Sequence, residues 1–164
     1  MRLRPYIPSL DFEAVRLFIT DERTHSIWCA NRFSYPLSQQ NFENVLKDHA
    51  ERCEDCPFVA ISDSGEVIGF FCLSVNSSKS GMLKFVVISP AVRGKGLGEE
   101  MIRLAVRYAF EIAGADSVHL CVFTENTAAR KCYESAGFTK IQTDKNAFTY
   151  KDETWGRCTM EVKK

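Results

Sequence analysis

The sequence predicts a mixed α/β fold: a twisted sheet of about seven strands with flanking helices. Short β-branched and aromatic runs alternate with segments of helical apolar spacing, which is typical of this class. Asp63-Ser64-Gly65-Glu66 separates two such runs as a hairpin turn. A glycine-rich turn later joins an apolar run directly to a helical segment. With 164 residues, the chain is long enough to bury a substantial core within one domain.

The composition narrows the function classes. Hydrophobic residues make up 45% and charged residues 26% of the chain, as in soluble globular proteins. The formal net charge is zero, so no global field favours nucleic acid or an acidic membrane. No apolar run approaches the ~20 residues of a membrane-spanning helix, and the N-terminus lacks a signal-peptide core. The seven cysteines are odd in number and irregularly spaced, which favours reduced thiols and a cytoplasmic protein.

The N-terminal half is expected to contain strands, helices and one hairpin. In order, we expect a strand at 2–7, a helix capped near Ser9 and Asp11, a short helix within 21–31, a helix from Ser38 to about Arg52, and strands at 58–61 and 67–75. Ser38 is a candidate N-cap because its hydroxyl can accept from the first helical turn.

The C-terminal half continues the alternation. We expect strands at 82–89 and 117–123, helices at about 96–113 and 127–136, and late strands at 138–143 with 147–151 and at 155–162. Gly114 and Gly137 are expected to end the two helices. The spacing places Met101, Ala105, Tyr108 and Ile112 together on one face of the longer helix, which we expect to be buried.

The basic turn between the strand at 82–89 and the following helix suits an anion. Its residues are Val86, Val87 and Ile88, then Pro90, then Arg93, Gly94, Lys95, Gly96, Leu97, Gly98 and Glu99. Such a junction directs free backbone N–H groups and the positive end of a helix dipole at one spot, as phosphate binding requires. The glycine patterns of a P-loop and of a dinucleotide site are absent. A ligand-free tight turn is the alternative, but it leaves the basic flanks unexplained.

This run resembles the acyl-CoA-binding motif of the GNAT superfamily of N-acyltransferases, Arg/Gln-x-x-Gly-x-Gly/Ala after a strand ending in x-Pro. Arg93, Gly96 and Gly98 match it, as does the proline. The resemblance implies that backbone N–H groups of residues 93–99 hold the pyrophosphate of coenzyme A. It also implies that residues 86–88 pair edge-on with the pantetheine arm.

A second motif lies downstream and resembles the GNAT pattern Asn-x-x-Ala-x-x-x-Tyr-x-x-x-Gly-Phe. The matching residues are Asn126, Ala129, Tyr133, Gly137 and Phe138. The resemblance implies that Asn126 contacts the pantetheine or thioester, that Tyr133 protonates the departing thiolate, and that Arg130 with Lys131 meets the adenosine 3′-phosphate. A phenol suits that role because the thiolate is the stronger proton acceptor in a dry cleft. Taken alone, Tyr133 also fits simple core packing.

Together the two motifs imply a single-domain GNAT fold over residues 1–164, with its acyl-CoA-binding core at about 58–140. The sheet is expected to splay between the strands at 82–89 and 117–123. The implied reaction moves an acetyl group from acetyl-CoA, a co-substrate, to a primary amine of a small molecule, peptide or protein without a metal. The pattern is most similar to enzymes that acetylate ribosomal-protein and other N-termini. A non-catalytic acyl-CoA-binding or sensor module is the alternative, and the late strands of the family commonly build homodimers.

The general base is left open. In the branch that acetylates protein N-termini, a glutamate often lies five residues before the motif asparagine, where this chain has Cys121. A neutral cysteine on a buried strand is a poor base. Glu125, Glu43, Asp11 and a water held by the backbone of residues 84–87 are the alternatives, together with deprotonation by solvent.

A pair of cysteines near a histidine is a weaker pattern. Cys53-x-x-Cys56 with His49 one turn earlier resembles half a zinc site, but no second pair completes it, so we expect no metal.

The aromatic residues Trp28, Phe33, Tyr35 and Phe42 are expected to pack in the core, and the alternative is that they line the acceptor side of the cleft. The acceptor itself has no recognisable signature. A polyamine or aminoglycoside would favour an acidic cleft, and a peptide N-terminus an open groove.

Overall fold

The computed structural model describes residues 1–164, which form one seven-stranded open sheet with helices on both faces. The strands are β1 (Arg2–Pro5), β2 (Cys56–Ile61), β3 (Val67–Val75), β4 (Ser80–Ile88), β5 (Ser117–Phe123), β6 (Thr139–Tyr150) and β7 (Glu153–Lys163). The helices are α1 (Pro8–Leu17), α2 (Glu22–Cys29), α3 (Gln39–Cys53), α4 (Leu97–Glu111) and α5 (Thr127–Ser135). None of them combines the length and the apolar character that a bilayer span requires.

The sheet opens between β4 and β5. Its strand order is β1-β2-β3-β4-β5-β7-β6, and β4 with β5 is the parallel pair among antiparallel neighbours. These two strands pair only from Ser80–Ser117 to Leu83–Leu120. Beyond that point both strands continue without pairing with each other, so they diverge and leave a gap. The predicted splay is confirmed.

A β-bulge in β4 lies where the gap begins. Phe70 pairs with Val87 and Cys72 with Lys84, so two residues of β4 stand opposite one residue of β3. Phe85, inside the bulge, has a φ of 51°. A bulge bends its strand and increases the local twist, and here the bend accompanies the separation of β4 from β5.

The core has two layers, one on each face of the sheet. Strand alternation sends Phe58 and Phe71 into a cluster with α4 and α5. Val59, Phe70 and their neighbours point to the other face and form a cluster with α1, α2 and α3. Both β4 and β5 contribute to the cluster on the α4–α5 face, whereas β5 contributes no residue to the cluster on the other face.

The predicted start of α1 is wrong. The helix begins at Pro8, and the apolar side chain of its N-cap residue, Ile7, makes no capping hydrogen bond. Asp11 lies inside the helix, where its carboxylate accepts the Ile7 N–H at 2.7 Å and forms an ion pair with Arg4 at 2.6 Å. Proline is favoured at the first helical position because its missing N–H is not needed there.

The predicted buried face of α4 is partly wrong. Ile112 lies just past the helix end and is 70% exposed. The buried residues of α4 are Met101, Ile102, Ala105, Val106 and Ala109. The buried stripe therefore lies closer to Ile102 and Val106 than the predicted spacing placed it.

Other boundaries agree with expectation. Ser38 caps α3 by accepting the Asn41 N–H at 3.3 Å, and the predicted hairpin turn joins β2 and β3. The two late strand pieces form the single strand β6, whose register shifts between Asp144 and Phe148.

Candidate active site

A cavity of about 470 Å³ lies in the gap between β4 and β5, against the start of α4 and one face of α5. Most of the predicted site residues line it: Val86, Val87, Ile88, Arg93, Gly94, Gly96, Gly98, Glu99, Asn126 and Tyr133. We call it the donor cavity. The strand–turn–helix junction and the second motif, which are far apart in the sequence, meet at its walls.

Three predicted residues do not line the donor cavity. The Lys95 ammonium turns back to the Ala91 carbonyl at 3.2 Å, and the Leu97 side chain packs against the core. The Lys95 side chain is exposed and keeps two further N–H donors, whereas Leu97 can offer a ligand only its backbone N–H. Arg130 lies on α5 half-buried, and its Nε atom has no hydrogen-bond partner.

The turn before α4 has unpaired backbone donors. Gly96 is the N-cap of α4, with a φ of 77° and no capping side chain, and Gly94 has a φ of 74°. The N–H groups of Gly94, Lys95 and Gly96 make no hydrogen bond within the protein. The first turn of any helix adds further unsatisfied N–H groups and a positive dipole end. An anion is the natural partner for such a set.

The free edge of β4 forms the opposite wall. From Lys84 to Ile88 the side of β4 that faces β5 has no strand partner. An extended ligand with amide groups can pair with such an edge in the way that a further strand does. The edge leads from the basic turn toward the bulge at Phe85.

Tyr133 lies at the inner end of the donor cavity. It is carried by α5 and is 7% exposed. Burial raises the pKa of the Tyr133 hydroxyl well above its ordinary value, because the phenolate is poorly solvated there. The side chain therefore remains protonated at neutral pH and can act as a proton donor, not as a base.

Asn126 has a structural role in addition to the predicted one. Its side-chain oxygen accepts the Ala129 N–H at 3.2 Å and caps α5. The same residue lines the donor cavity. It therefore fixes the start of the helix that carries Tyr133.

A second large cavity, of about 430 Å³, lies beyond Tyr133 at the gap. A constriction of about 50 Å³ lies between it and the donor cavity, lined by parts of β4 and β5 together with Asn126 and Tyr133. Ile27 and Trp28 of α2 line all three spaces. We call the second large space the acceptor cavity.

Most residues that line the acceptor cavity are hydrophobic, and its charged side chains are basic. Arg32, His49, Lys84 and Arg157 line it, and no aspartate or glutamate does. Arg32 and Arg157 make no ion pair, whereas Lys84 is paired with the buried carboxylate of Asp55 at 2.7 Å. The acidic cleft expected for a polyamine is absent.

The comparison with known protein families agrees with this geometry. The family model "Acetyltransferase (GNAT) family" matches residues 20–138. The chain belongs to the GNAT acetyltransferase family.

Individual relatives of this GNAT protein are distant. Mycothiol acetyltransferase of Renibacterium salmoninarum is 25% identical over 142 residues, which is 80% of this chain and 42% of that protein. Mycothiol acetyltransferase of Corynebacterium efficiens is 36% identical over 77 residues, 47% of this chain and 26% of that protein. The chain thus spans less than half the length of these two relatives.

A solved structure shows the same fold. Spermidine N-acetyltransferase from Vibrio cholerae, in complex with CoA and spermine, superposes with a TM-score of 0.81 at 22% identity. The match covers 99% of this chain and 94% of that one. At this level of identity the likeness establishes the fold and nothing about the acceptor.

The carboxylates considered as bases line none of the three cavities of this GNAT protein. Asp11 is fully buried in its ion pair with Arg4. Glu43 accepts from Gln39 on α3, and Glu125 accepts from Thr124. These three carboxylates are engaged elsewhere.

Cys121 does face the cavities, but its predicted burial is wrong. It lines the constriction and the acceptor cavity, and its side chain is exposed. Cys121 points away from the face that its neighbours Leu120 and Val122 bury, and β5 contributes no residue to the cluster on the other face.

One polar cluster was missed by sequence reasoning. His49 hydrogen-bonds with Asp55 through Nδ1 at 3.0 Å, and Lys84 contacts both carboxylate oxygens of Asp55 at 2.7 and 3.0 Å. The sequence pattern instead grouped His49 with Cys53 and Cys56 as half a zinc site. Both cysteines are exposed, and no group of three or more His, Cys, Asp or Glu side chains is placed to hold a metal. Because Lys84 comes from a distant strand, local spacing carried no signal for the cluster.

The aromatic residues divide between the two expected roles. Phe33 and Phe42 are buried in the core on the α1–α3 face, as predicted. Trp28 stacks on Phe33 at 5.1 Å and also lines all three cavities. Tyr35 is 47% exposed and belongs to neither group.

Proposed function

We propose that this GNAT protein transfers an acetyl group directly from acetyl-CoA to a primary amine. The observation that carries the proposal is the position of Tyr133. A buried, protonated phenol stands where the donor cavity meets the constriction to the acceptor cavity.

The donor cavity fits coenzyme A by chemistry as well as by size. The unpaired N–H groups of the turn and the guanidinium of Arg93 suit the pyrophosphate. The free edge at residues 86–88 suits the amides of the pantetheine arm. Arg130, on the same helix as Tyr133, is assigned to the 3′-phosphate on the resemblance to the GNAT motif alone. The thioester then lies near Asn126 and Tyr133.

The reaction needs little from the protein beyond positioning and proton transfer. Holding the amine and thioester in contact supplies most of the rate gain. Backbone N–H groups near residues 86–88 stabilise the oxyanion that forms on the thioester carbonyl. Tyr133 donates its proton to the thiolate as the carbon–sulfur bond breaks.

The acceptor is proposed to be an amine that carries a carboxylate or another anionic group. Arg32 and Arg157 offer two unpaired cations in the acceptor cavity, and no carboxylate faces them. A polycation such as spermidine meets repulsion there, whereas an amino acid or peptide finds charge partners. An N-terminal amine of a peptide or protein, the acceptor implied by the motif pattern, remains within this proposal. The homodimer also remains a prediction.

A panel assay tests this function. Thiol release from acetyl-CoA is measured with L-glutamate, glycylglycine, tyramine and spermidine as acceptors. We expect turnover with the two carboxylate-bearing amines and little with spermidine. Binding of acetyl-CoA without thiol release from any amine would instead indicate the non-catalytic acyl-CoA-binding module.

A further inference from the structure

We infer that His49 is the base that takes the proton from the acceptor amine, with Asp55 and Lys84 as positioning residues. The inference rests on the proposed function, since it concerns the acceptor half of the same reaction. It assigns a role that the carboxylates Asp11, Glu43 and Glu125 cannot fill from their positions.

The end of α3 builds the His49–Asp55 pair locally. The helix ends at Cys53, and Glu54 takes the left-handed conformation with a φ of 56°. This turn brings the Asp55 N–H to the His49 carbonyl at 3.4 Å. The Asp55 carboxylate, 2% exposed, then reaches Nδ1 of the His49 ring at 3.0 Å.

The pair orients the imidazole for proton acceptance. When Nδ1 donates to a carboxylate, the neutral ring carries its lone pair on Nε2. Nε2 of His49 makes no hydrogen bond within the protein, and the side chain lines the acceptor cavity. The free nitrogen is thus available to an incoming amine or to a water between them.

Lys84 is the charge partner of Asp55 in this cluster. Its ammonium already balances the charge of Asp55 through two short contacts. The buried carboxylate therefore has a cationic partner that does not depend on the His49 ring. The remaining charged or titratable groups that line the same cavity are Arg32, Cys53, Cys121 and Arg157.

The cluster of His49, Asp55 and Lys84 lies next to the constriction where we propose that the acetyl group is transferred. The His49 ring packs edge-on against Phe85 at 5.2 Å between ring centres. Phe85 lies in the β4 bulge, directly before the edge residues assigned to the pantetheine and thioester. Lys84 and Phe85 also line the constriction that Tyr133 shares.

The proton balance closes with His49 and Tyr133 together. The entering ammonium gives one proton to Nε2 of His49, which passes it to solvent. The neutral amine then forms a nitrogen–carbon bond to the thioester carbonyl, and the carbon–sulfur bond breaks. Tyr133 protonates the thiolate, and the second proton lost by the nitrogen restores the Tyr133 hydroxyl through cavity water. The net products are the amide, free coenzyme A and one proton.

The test compares His49→Gln with His119→Gln. His119 is a matched control because it also bonds a carboxylate, Glu161 at 3.0 Å, but lines none of the three cavities. Thiol release is measured across pH with whichever of the four panel amines the wild type turns over fastest. We expect kcat/KM of His49→Gln to fall on the order of 10²-fold, with unchanged affinity for acetyl-CoA. Protonation of an imidazole base lowers the rate toward acidic pH, and we expect His49→Gln to lack this decline. His119→Gln should keep the wild-type kcat/KM and the wild-type dependence on pH.

A structural role for His49 gives a different result. It predicts equal losses at every pH and a lowered Tm, and that outcome overturns the inference. Imidazole added to His49→Ala should restore part of the rate if Nε2 takes the proton. Failure of rescue in a folded variant that binds acetyl-CoA also counts against His49.

Nitrogen NMR of histidine-labelled protein reads the tautomer without any substrate. We expect the neutral His49 ring to be the Nδ1–H tautomer, and an Nε2–H tautomer overturns the inference alone. A wild type that releases no thiol with any panel amine overturns the proposed function, and the inference with it, whatever the tautomer.

Discussion

The donor and acceptor cavities meet at one gap in the sheet but are built in opposite ways. The donor cavity presents backbone: unpaired N–H groups at Gly94–Gly96 and the free edge of β4. The acceptor cavity presents side chains, among them Arg32, His49 and Arg157. A backbone site recognises a ligand that does not vary, whereas side chains can be exchanged without altering the fold. Under the proposed function, the backbone-lined cavity takes acetyl-CoA and the side chains of the other cavity select the amine.

Tyr133, between the two cavities, gives the largest expected effect. Tyr133→Phe removes the proton donor and keeps the ring, so we expect kcat to fall on the order of 10²-fold or more. Affinity for acetyl-CoA should change little. Steady-state kinetics and calorimetry measure the two quantities.

Tyr108→Phe is the control for that substitution. Tyr108 packs edge-on against Phe58 at 5.1 Å and lines none of the three cavities. Equal kcat values for Tyr133→Phe and wild type would remove Tyr133 from the acid role.

Gly96→Ala tests the backbone character of the donor cavity. Gly96 has a φ of 77°, and a Cβ atom added to it would meet open space, so the cost is conformational, about 1–2 kcal/mol. Relaxation of φ also turns the N–H groups away from the phosphate. We expect acetyl-CoA affinity to fall about tenfold, the equivalent of one charge-assisted hydrogen bond.

Gly65→Ala provides the matched comparison. Gly65 has a φ of 90°, equally open surroundings and a position in the β2–β3 turn away from the cavities. Both variants should lose similar stability in thermal unfolding, but only Gly96→Ala should lose affinity. A parallel loss of affinity in Gly65→Ala would show that general destabilisation explains the effect.

Removal of a positive charge from the acceptor cavity should change KM for the acceptor amine but not KM for acetyl-CoA. Arg157→Gln or Arg32→Gln removes an exposed cation, so we expect KM for L-glutamate to rise about threefold to tenfold. KM for acetyl-CoA should stay constant. Arg107→Gln is the control, because Arg107 lies on α4 beside Glu111 at 3.7 Å and lines none of the three cavities. A rise in both KM values would contradict the separation of the two sites.

Substitution of Asp21 gives the smallest expected effect on activity, because Asp21 lines neither cavity and only stabilises the helix α2 that borders both. It caps this helix by accepting the Thr24 N–H at 2.8 Å, and bonds from Thr24 and Thr20 lower the pKa of its carboxyl from 3.8 to about 2. Asp21→Ala should cost about 1 kcal/mol of stability. Asp21→Asn should retain most of it, since an amide oxygen also caps.

The sign of the pH effect follows from the lowered pKa. The carboxylate contributes stability above about pH 4, and that contribution is lost as the pH falls toward 2. Thermal unfolding at pH 7 and pH 2.5 should show wild type losing this increment while Asp21→Asn does not. Identical pH slopes would exclude the carboxylate as the source.

The donor half could be predicted because its parts are local in the sequence. A strand, three glycines and a helix within residues 86–99 dictate where N–H groups point, and the motif from Asn126 to Phe138 behaves similarly. The splay was implied by the resemblance to the GNAT family, and the pairing of β4 with β5 confirms it. The side chains of Lys95 and Leu97 departed from it, since spacing locates a backbone turn but not each side chain around it.

The acceptor half could not be predicted because its parts meet only in three dimensions. His49 and Asp55 depend on a left-handed residue at the end of α3, and Lys84 reaches them from β4. The exposure of Cys121 depends on the face of β5 that the helices α1–α3 leave uncovered, which local spacing does not reveal. The buried face of α4 differs from the predicted one because both the sheet and α5 pack against this helix.

A crystal structure with coenzyme A tests the central claim most directly. We predict the pyrophosphate against the N–H groups of Gly94–Gly96 and the sulfur atom beside the Tyr133 hydroxyl, facing the constriction that leads to His49. A sulfur atom directed away from Tyr133, or a pyrophosphate bound elsewhere, would contradict the account of one donor and one acceptor cavity meeting at that tyrosine.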